Sequence, residues 1–119
     1  MRILDTIQKE ANLNYVRAVD EIGPGNANHK YEIVRKDSDE VLLTVQHQNG
    51  PRKEEGSIPG VLDVDLLEIA RDRLKSFQSG PFASNYNEEA LTHVEAALQA
   101  LNQRVLDRLN RDVLGKNEK

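Results

Sequence analysis

From Leu91 onward the apolar positions run Leu91, Val94, Leu98, Leu101 and Val105, at intervals of 3, 4, 3 and 4. That is the spacing of a helix presenting one seam to another helix. The next seam position is Arg108, with Arg104 one turn before it and Arg111 just under one turn after it, so three guanidinium groups share a helical face. Ser84 or Asn85 caps this helix, Glu88 and Glu89 suit its first turn, and it is expected to run to about Val113 before Gly115 ends it. A shorter helix precedes it: Asp65 and Glu68 have the spacing of a capping box ahead of Leu66, Leu67, Ala70, Leu74 and Phe77, and Gly80-Pro81 stops the run.

The first half alternates as strands do. Residues 15–22 (YVRAVDEI) end at Gly23-Pro24-Gly25, KYEIV follows at 30–34, and VLLTVQHQ at 41–48 follows a polar turn. The last two form a hairpin with Leu43, Val45 and His47 on one face and Thr44 and Gln46 on the other. Three strands are expected, and MRILDTIQKEAN is open between a short helix and a further strand. Residues 49–60 (NGPRKEEGSIPG) read as a loop between sheet and helices. The expected class is α+β: a small N-terminal antiparallel β-sheet region and loop over 1–60, then a C-terminal helical hairpin with a long last helix over 61–119, together one compact unit.

Composition narrows the function classes. With 38% hydrophobic residues, 30% charged residues and no tryptophan in 119 residues, the core is thin, and a thin core often needs an oligomer. A last helix of nearly thirty residues spans about 40 Å, more than a small sheet covers, so part of its seam is expected to meet another subunit. The net charge of −4 argues against long nucleic acid as a partner. The charge is uneven: residues 1–70 hold 8 basic and 13 acidic side chains, and 71–119 hold 8 and 7, so a compact anion could bind the second half. No stretch approaches the roughly 18 apolar residues of a membrane span, and the N-terminus has no signal-peptide pattern. Neither membrane nor export is expected.

Enzyme motifs are missing. GPGNAN lacks the lysine and hydroxyl residue of a phosphate loop and reads as a turn. His93-Val94-Glu95 has no cysteine pair to complete a deaminase signature. His29, His47 and His93 share no metal-ligand spacing, there is no cysteine, and no nucleophile has an evident base. No catalytic residue, metal or cofactor is expected.

Taken singly, the remaining features have structural explanations. Arginines complement a helix C-terminus by about 0.3–1 kcal/mol, Asp107 and Asp112 could pair with them, Phe77 closes its helix's apolar stripe, and Asn87 suits a capping arrangement. A seam arginine is harder to explain, because a guanidinium against a packed face needs a partner. Two arginines a turn apart can clamp adjacent phosphates through charge-assisted bonds. Phe77 and Phe82 flank the helical turn and are the two phenylalanines of the chain, and an aromatic face with paired arginines can hold a nucleotide.

The run FQSGPFASNYNEEALTHVEAALQALNQRVLDRLNRDVLG resembles the helical hairpin of bacteriophage sponge proteins that defeat nucleotide-signalled immunity: the first type of anti-Thoeris protein and the anti-CBASS cyclic-nucleotide sponge. ANHKYEI, GPRKEEGSIPGVLD and LLEIARDRL look like the sheet and first helix of the anti-Thoeris kind, extending the resemblance over roughly 15–116. It implies sequestration of cyclic ADP-ribose isomers without cleavage, in the cytoplasm of an infected bacterium, by a homodimer assembling to a homohexamer. By position, Phe77 is the implied stacking aromatic, Asn87 the polar reader, and Arg104 with Arg108 the phosphate clamp. Arg52, Asn85 and Arg111 are secondary candidates, Arg52 and Arg111 for cyclic oligonucleotides. Asp112 departs from the family's usual ending and adds a negative charge near the clamp. The alternatives are a sponge mainly for cyclic di- or trinucleotides and a module that oligomerises without binding a ligand.

Overall fold

The computed structural model describes residues 1–110. Four antiparallel strands, β1 (Arg2–Ile3), β2 (Asn14–Ala18), β3 (Lys30–Arg35) and β4 (Val41–Gln46), lie side by side in chain order, and two helices follow, α1 (Asp63–Gln78) and α2 (Asn85–Asn110). The class is α+β, as the hydrophobic pattern predicts. Contacts divide the chain into two compact units, one covering Met1–Val61 and one beginning at Leu62. No helix among the described residues is long and apolar enough to cross a membrane.

The sheet has one strand more than the three expected. The undecided N-terminal stretch supplies both of its options in miniature: β1, followed by a single 3-10 turn at Lys9–Ala11. Two residues are too few for alternation to register, and besides its backbone pairing with β2, β1 is braced by a distant side chain. Arg2 Nη2 donates to Asn28 Oδ1 at 2.8 Å. Asn28 is 8% exposed, and its Nδ2 donates to the backbone oxygen of Asp20 (2.8 Å) and to Asp20 Oδ1 (3.1 Å). Such a buried amide is satisfied on both sides, so it fixes the 20–28 excursion. β2 ends at Ala18, four residues before the expected limit, because Asp20 turns inward to accept the His29 N–H at 2.9 Å.

Burial works against the Asp20 carboxylate, and the hydrogen bonds from His29 and Asn28 outweigh it, holding its pKa below the usual range. A depressed carboxylate adds stability that is present above the unfolded pKa of about 3.9 and is lost as pH falls through the folded value. Asp20→Asn is therefore expected to lower Tm at pH 7. The gap from wild type should close as pH drops below about 4; thermal melts of both proteins at pH 7, 4 and 3 check it. A gap that stays constant with pH excludes the linkage.

Along the sheet, Val16, Ile33 and Leu43 lie opposite one another, as do Ala18, Tyr31 and Val45, and these six share a face. His47 continues that face, its ring edge-on to Tyr31 at 5.5 Å. The other face carries Arg17, Glu32 and Thr44 in register, with Arg17 and Glu32 paired at 2.7 Å. A bulge interrupts β3 and β4 between Ile33 and Val34. Among the described residues the fully buried apolar side chains are Ala18 and Val34. The core is as thin as the composition implies.

The 49–60 loop is pinned against the edge of β4. Val61 N–H donates to the Gln46 carbonyl and Gln48 N–H to the Val61 carbonyl, each at 2.9 Å, and Asn49 and Ile58 exchange bonds of 2.9 and 2.8 Å. This returning segment occupies backbone groups that an edge strand otherwise leaves open.

The first helix begins three residues before the expected start. Leu62 is its N-cap and Asp65, at the third helical position, accepts the Leu62 N–H at 2.9 Å. Asp65 thus closes the cap from inside the helix, and Glu68 pairs with Arg71 at 3.4 Å instead of completing a box. The second helix starts as predicted, with Ser84 Oγ accepting the Asn87 N–H at 3.1 Å. Its expected end near Val113 and Gly115 lies outside the described residues.

Candidate functional site

The register of the hairpin is set where Arg71 Nε donates to Glu95 Oε2 at 2.8 Å. Counting outward along the antiparallel pair places Phe77 level with Glu89, and Arg104 level with Leu62, the cap of α1. Along α2, Glu89 and Arg104 are fifteen residues apart, about 22 Å at 1.5 Å per residue. The candidate residues therefore fall into two groups at opposite ends of one hairpin. Phe77 and Asn87 are at the turn. Arg104 and Arg108 are on the part of α2 that runs past the start of α1.

At the turn end, Phe77 sits in the last turn of α1 with its ring partly exposed. The Arg73 guanidinium carbon lies 5.3 Å from the Phe77 ring centroid, one helical turn earlier on the same face. Asn87 is partly buried, and its Nδ2 donates to the Phe82 carbonyl at 3.1 Å while Gln78 Oε1 accepts the Ser84 N–H at 2.9 Å. These bonds tie the connection to both helices. With its amide nitrogen so used, Asn87 keeps Oδ1 as an acceptor with no donor among the described residues. Asn85 is the exposed first residue of α2, and Phe82 is 73% exposed.

At the far end the two arginines differ. Arg104 is exposed and forms no hydrogen bond or ion pair among the described residues. Arg108 is 4% exposed, and a guanidinium so placed is never left without partners. Arg111 and Asp112 lie outside the described residues. In the sheet unit, Arg52 is exposed and donates to Gly60 O at 3.1 Å and to Gln48 Oε1 at 3.3 Å, which braces its own loop.

Most other arginines are committed to oxygen acceptors: Arg2 to Asn28, Arg17 to Glu32, Arg35 to Asp37, and Arg71 to Glu95 and Glu68. Arg73 and Arg104 are the described arginines whose guanidinium groups meet no oxygen. An uncommitted guanidinium is the group most ready to bind an anion or stack on a flat ring. The sequence reading passed over Arg73, although the Arg-x-x-x-Phe spacing of one helical turn was there to be read.

The apolar seam of α2 is also incomplete in one chain. Leu91, Val94, Leu98, Leu101 and Val105 are each partly exposed, and no apolar residue of either helix is fully buried.

Two comparisons bear on this arrangement. Residues 39–106, more than half of the chain, match the family model described as "Acb2/Tad1, hairpin domain". The chain is also 37% identical over 95 residues to the "Thoeris anti-defense 1" protein of Bacillus phage SBSphiJ7, an alignment covering 80% of this chain and 66% of that protein. This chain thus spans slightly less than two thirds of that relative's length. The match runs through β4, the pinned loop and the α1–α2 hairpin, the elements that carry Phe77, Asn87 and Arg104, and it places the chain in the Acb2/Tad1 hairpin-domain family, the group that the sequence of the hairpin resembles.

Proposed function

We propose that the protein is a phage anti-defence sponge. It binds cyclic ADP-ribose isomers made by TIR enzymes in the cytoplasm of the infected host and holds them uncleaved, so that the downstream effector is not activated. The observation that carries this reading is the separation of the ring of Phe77 from Arg104 by about 22 Å along one hairpin. A nucleotide needs both a stacking face and phosphate donors, and two antiparallel hairpins supply them together where the turn of one meets the overhang of the other. The part-exposed seam of α2 supports that pairing, since a second copy would cover it. A homodimer, assembling further to a homohexamer, is the proposed form.

In such a site Phe77 stacks on the adenine and Asn87 Oδ1 accepts from a ribose hydroxyl or the base. Arg104 and Arg108 clamp the diphosphate. Stacking contributes about 1–3 kcal/mol per base and each charged hydrogen bond about 1.5–3 kcal/mol, against the roughly 12 kcal/mol that a nanomolar complex needs. A preformed oligomer limits the ordering cost. The name of the relative from Bacillus phage SBSphiJ7 supports the anti-Thoeris direction.

With three tyrosines and no tryptophan, the protein absorbs weakly, and bound adenine nucleotide would dominate its spectrum near 260 nm. Protein mixed with a TIR-derived cyclic ADP-ribose isomer, desalted and heat-denatured, is expected to release that compound intact, as read by mass spectrometry. Recovery of a hydrolysed product, or of no nucleotide, overturns the proposal. Tighter binding of cyclic di- or trinucleotides in parallel calorimetry would move the reading to the anti-CBASS type.

A further inference from the structure

We infer that Arg73 is a fifth ligand-contacting residue, a mobile planar lid that sandwiches the nucleobase against Phe77; this rests on the sponge reading above, in which Phe77 stacks on the base. Three observations carry it. The Arg73 guanidinium lies over the ring at 5.3 Å from its centroid. Its side chain is exposed and has no acidic or carbonyl partner among the described residues, so nothing but the ring restrains it. Its neighbour Arg71, by contrast, is tied to Glu95 and Glu68, and the two thus divide structural and free roles over a single turn of helix.

Insertion of a base requires the guanidinium alone to move. A flat base between ring and guanidinium makes two stacking contacts of about 3.5 Å each, roughly 7 Å in all. The observed 5.3 Å is therefore short by about 2 Å, a displacement that rotation about the flexible stem of one arginine supplies without moving α1. Before the ligand arrives, the guanidinium covers a ring face that would otherwise be open to water. Afterwards it stacks on the far side of the base, as guanidinium planes do on unstacked nucleobases. A cation is thereby placed at the aromatic end of the hairpin, separate from the arginines of the overhang.

The test uses the full chain and calorimetric titration with a TIR-derived cyclic ADP-ribose isomer, comparing wild type, Arg73→Ala, Arg73→Lys and Arg104→Ala. Both Arg73 variants are expected to bind about tenfold more weakly, because lysine keeps the charge and loses the plane, and both are expected to melt at the wild-type temperature. Arg73→Ala binding as tightly as wild type, or more tightly, overturns the lid. So does Arg73→Lys binding like wild type, which would mean that charge alone is used. Either result with Arg104→Ala still defective leaves the sponge reading standing; failure of the wild-type protein to bind removes both.

Discussion

Replacing Arg104 with alanine is expected to weaken binding of a cyclic ADP-ribose isomer by at least about 100-fold and to leave Tm unchanged. The second half of that expectation follows from the structure of one chain. Arg104 is exposed and touches no oxygen among the described residues, so its removal breaks no contact of the fold. The first half follows from the proposed clamp. Two charge-assisted bonds to a phosphate contribute about 1.5–3 kcal/mol each, and every 1.4 kcal/mol is a factor of ten in affinity. Arg108→Ala is a poorer probe, because that side chain is 4% exposed and its loss would disturb packing as well as binding. Arg104→Lys should recover part of the affinity, since one point charge replaces a planar fork. Calorimetry together with a thermal melt decides the matter: unchanged affinity in Arg104→Ala would leave the hairpin as an oligomerisation device alone.

Gly60→Ala is expected to be the most damaging small substitution in the sheet unit. A Cβ at this position would lie 2.3 Å from the Gln46 carbonyl oxygen, 2.5 Å from the His47 carbonyl carbon and 2.7 Å from the His47 oxygen. All three are backbone atoms of β4 and its extension, so no side chain can swing aside, and the returning segment must lift away. Lifting it strains the Val61-to-Gln46 and Gln48-to-Val61 bonds, and with them the Gly60 N–H to Gln48 Oε1 bond of 3.2 Å. Overpacking of this kind costs about 1–3 kcal/mol, and the upper end applies where backbone meets backbone. For a chain of this length the drop in Tm is then about 8–12 °C, at roughly 4 °C per kcal/mol. Gly23→Ala is the control: its nearest atom would be 3.7 Å away, and its Tm should stay within about 2 °C of wild type. Equal melting of Gly60→Ala and wild type would show that the segment is not seated on β4.

The hairpin was the most legible part of the chain because its cues are local. The 3-and-4 spacing of Leu91 to Val105 specified a helix, Ser84 marked its start, and both fall where the structure has them. The run around Phe77, Asn87 and Arg104 carried the family resemblance for the same reason. The α1 cap was misplaced by three residues because Asp65 accepts from the backbone behind it, at Leu62, while Glu68 is drawn to Arg71. A capping pattern does not say which of two acids closes it. β1 left no decisive signal, being two residues long, paired to the distant β2 and braced by Arg2 reaching a residue 26 positions away.

What the sequence by itself determined is whatever short-range periodicity and charge can encode. That comprises the strand and helix order, the thin apolar complement, the arginine face of the last helix, and the hairpin that marks the family. Only the tertiary structure decided which arginines are already committed and which are not, because a guanidinium's partner can sit anywhere in the chain: Arg71 found Glu95 across the hairpin, Arg52 found its own loop, and Arg73 came to rest on Phe77. It also decided that the ring and the far arginines occupy opposite ends of one hairpin. Helical rise converts fifteen residues into a distance no side chain bridges, a consequence visible once Arg71 and Glu95 fix the register.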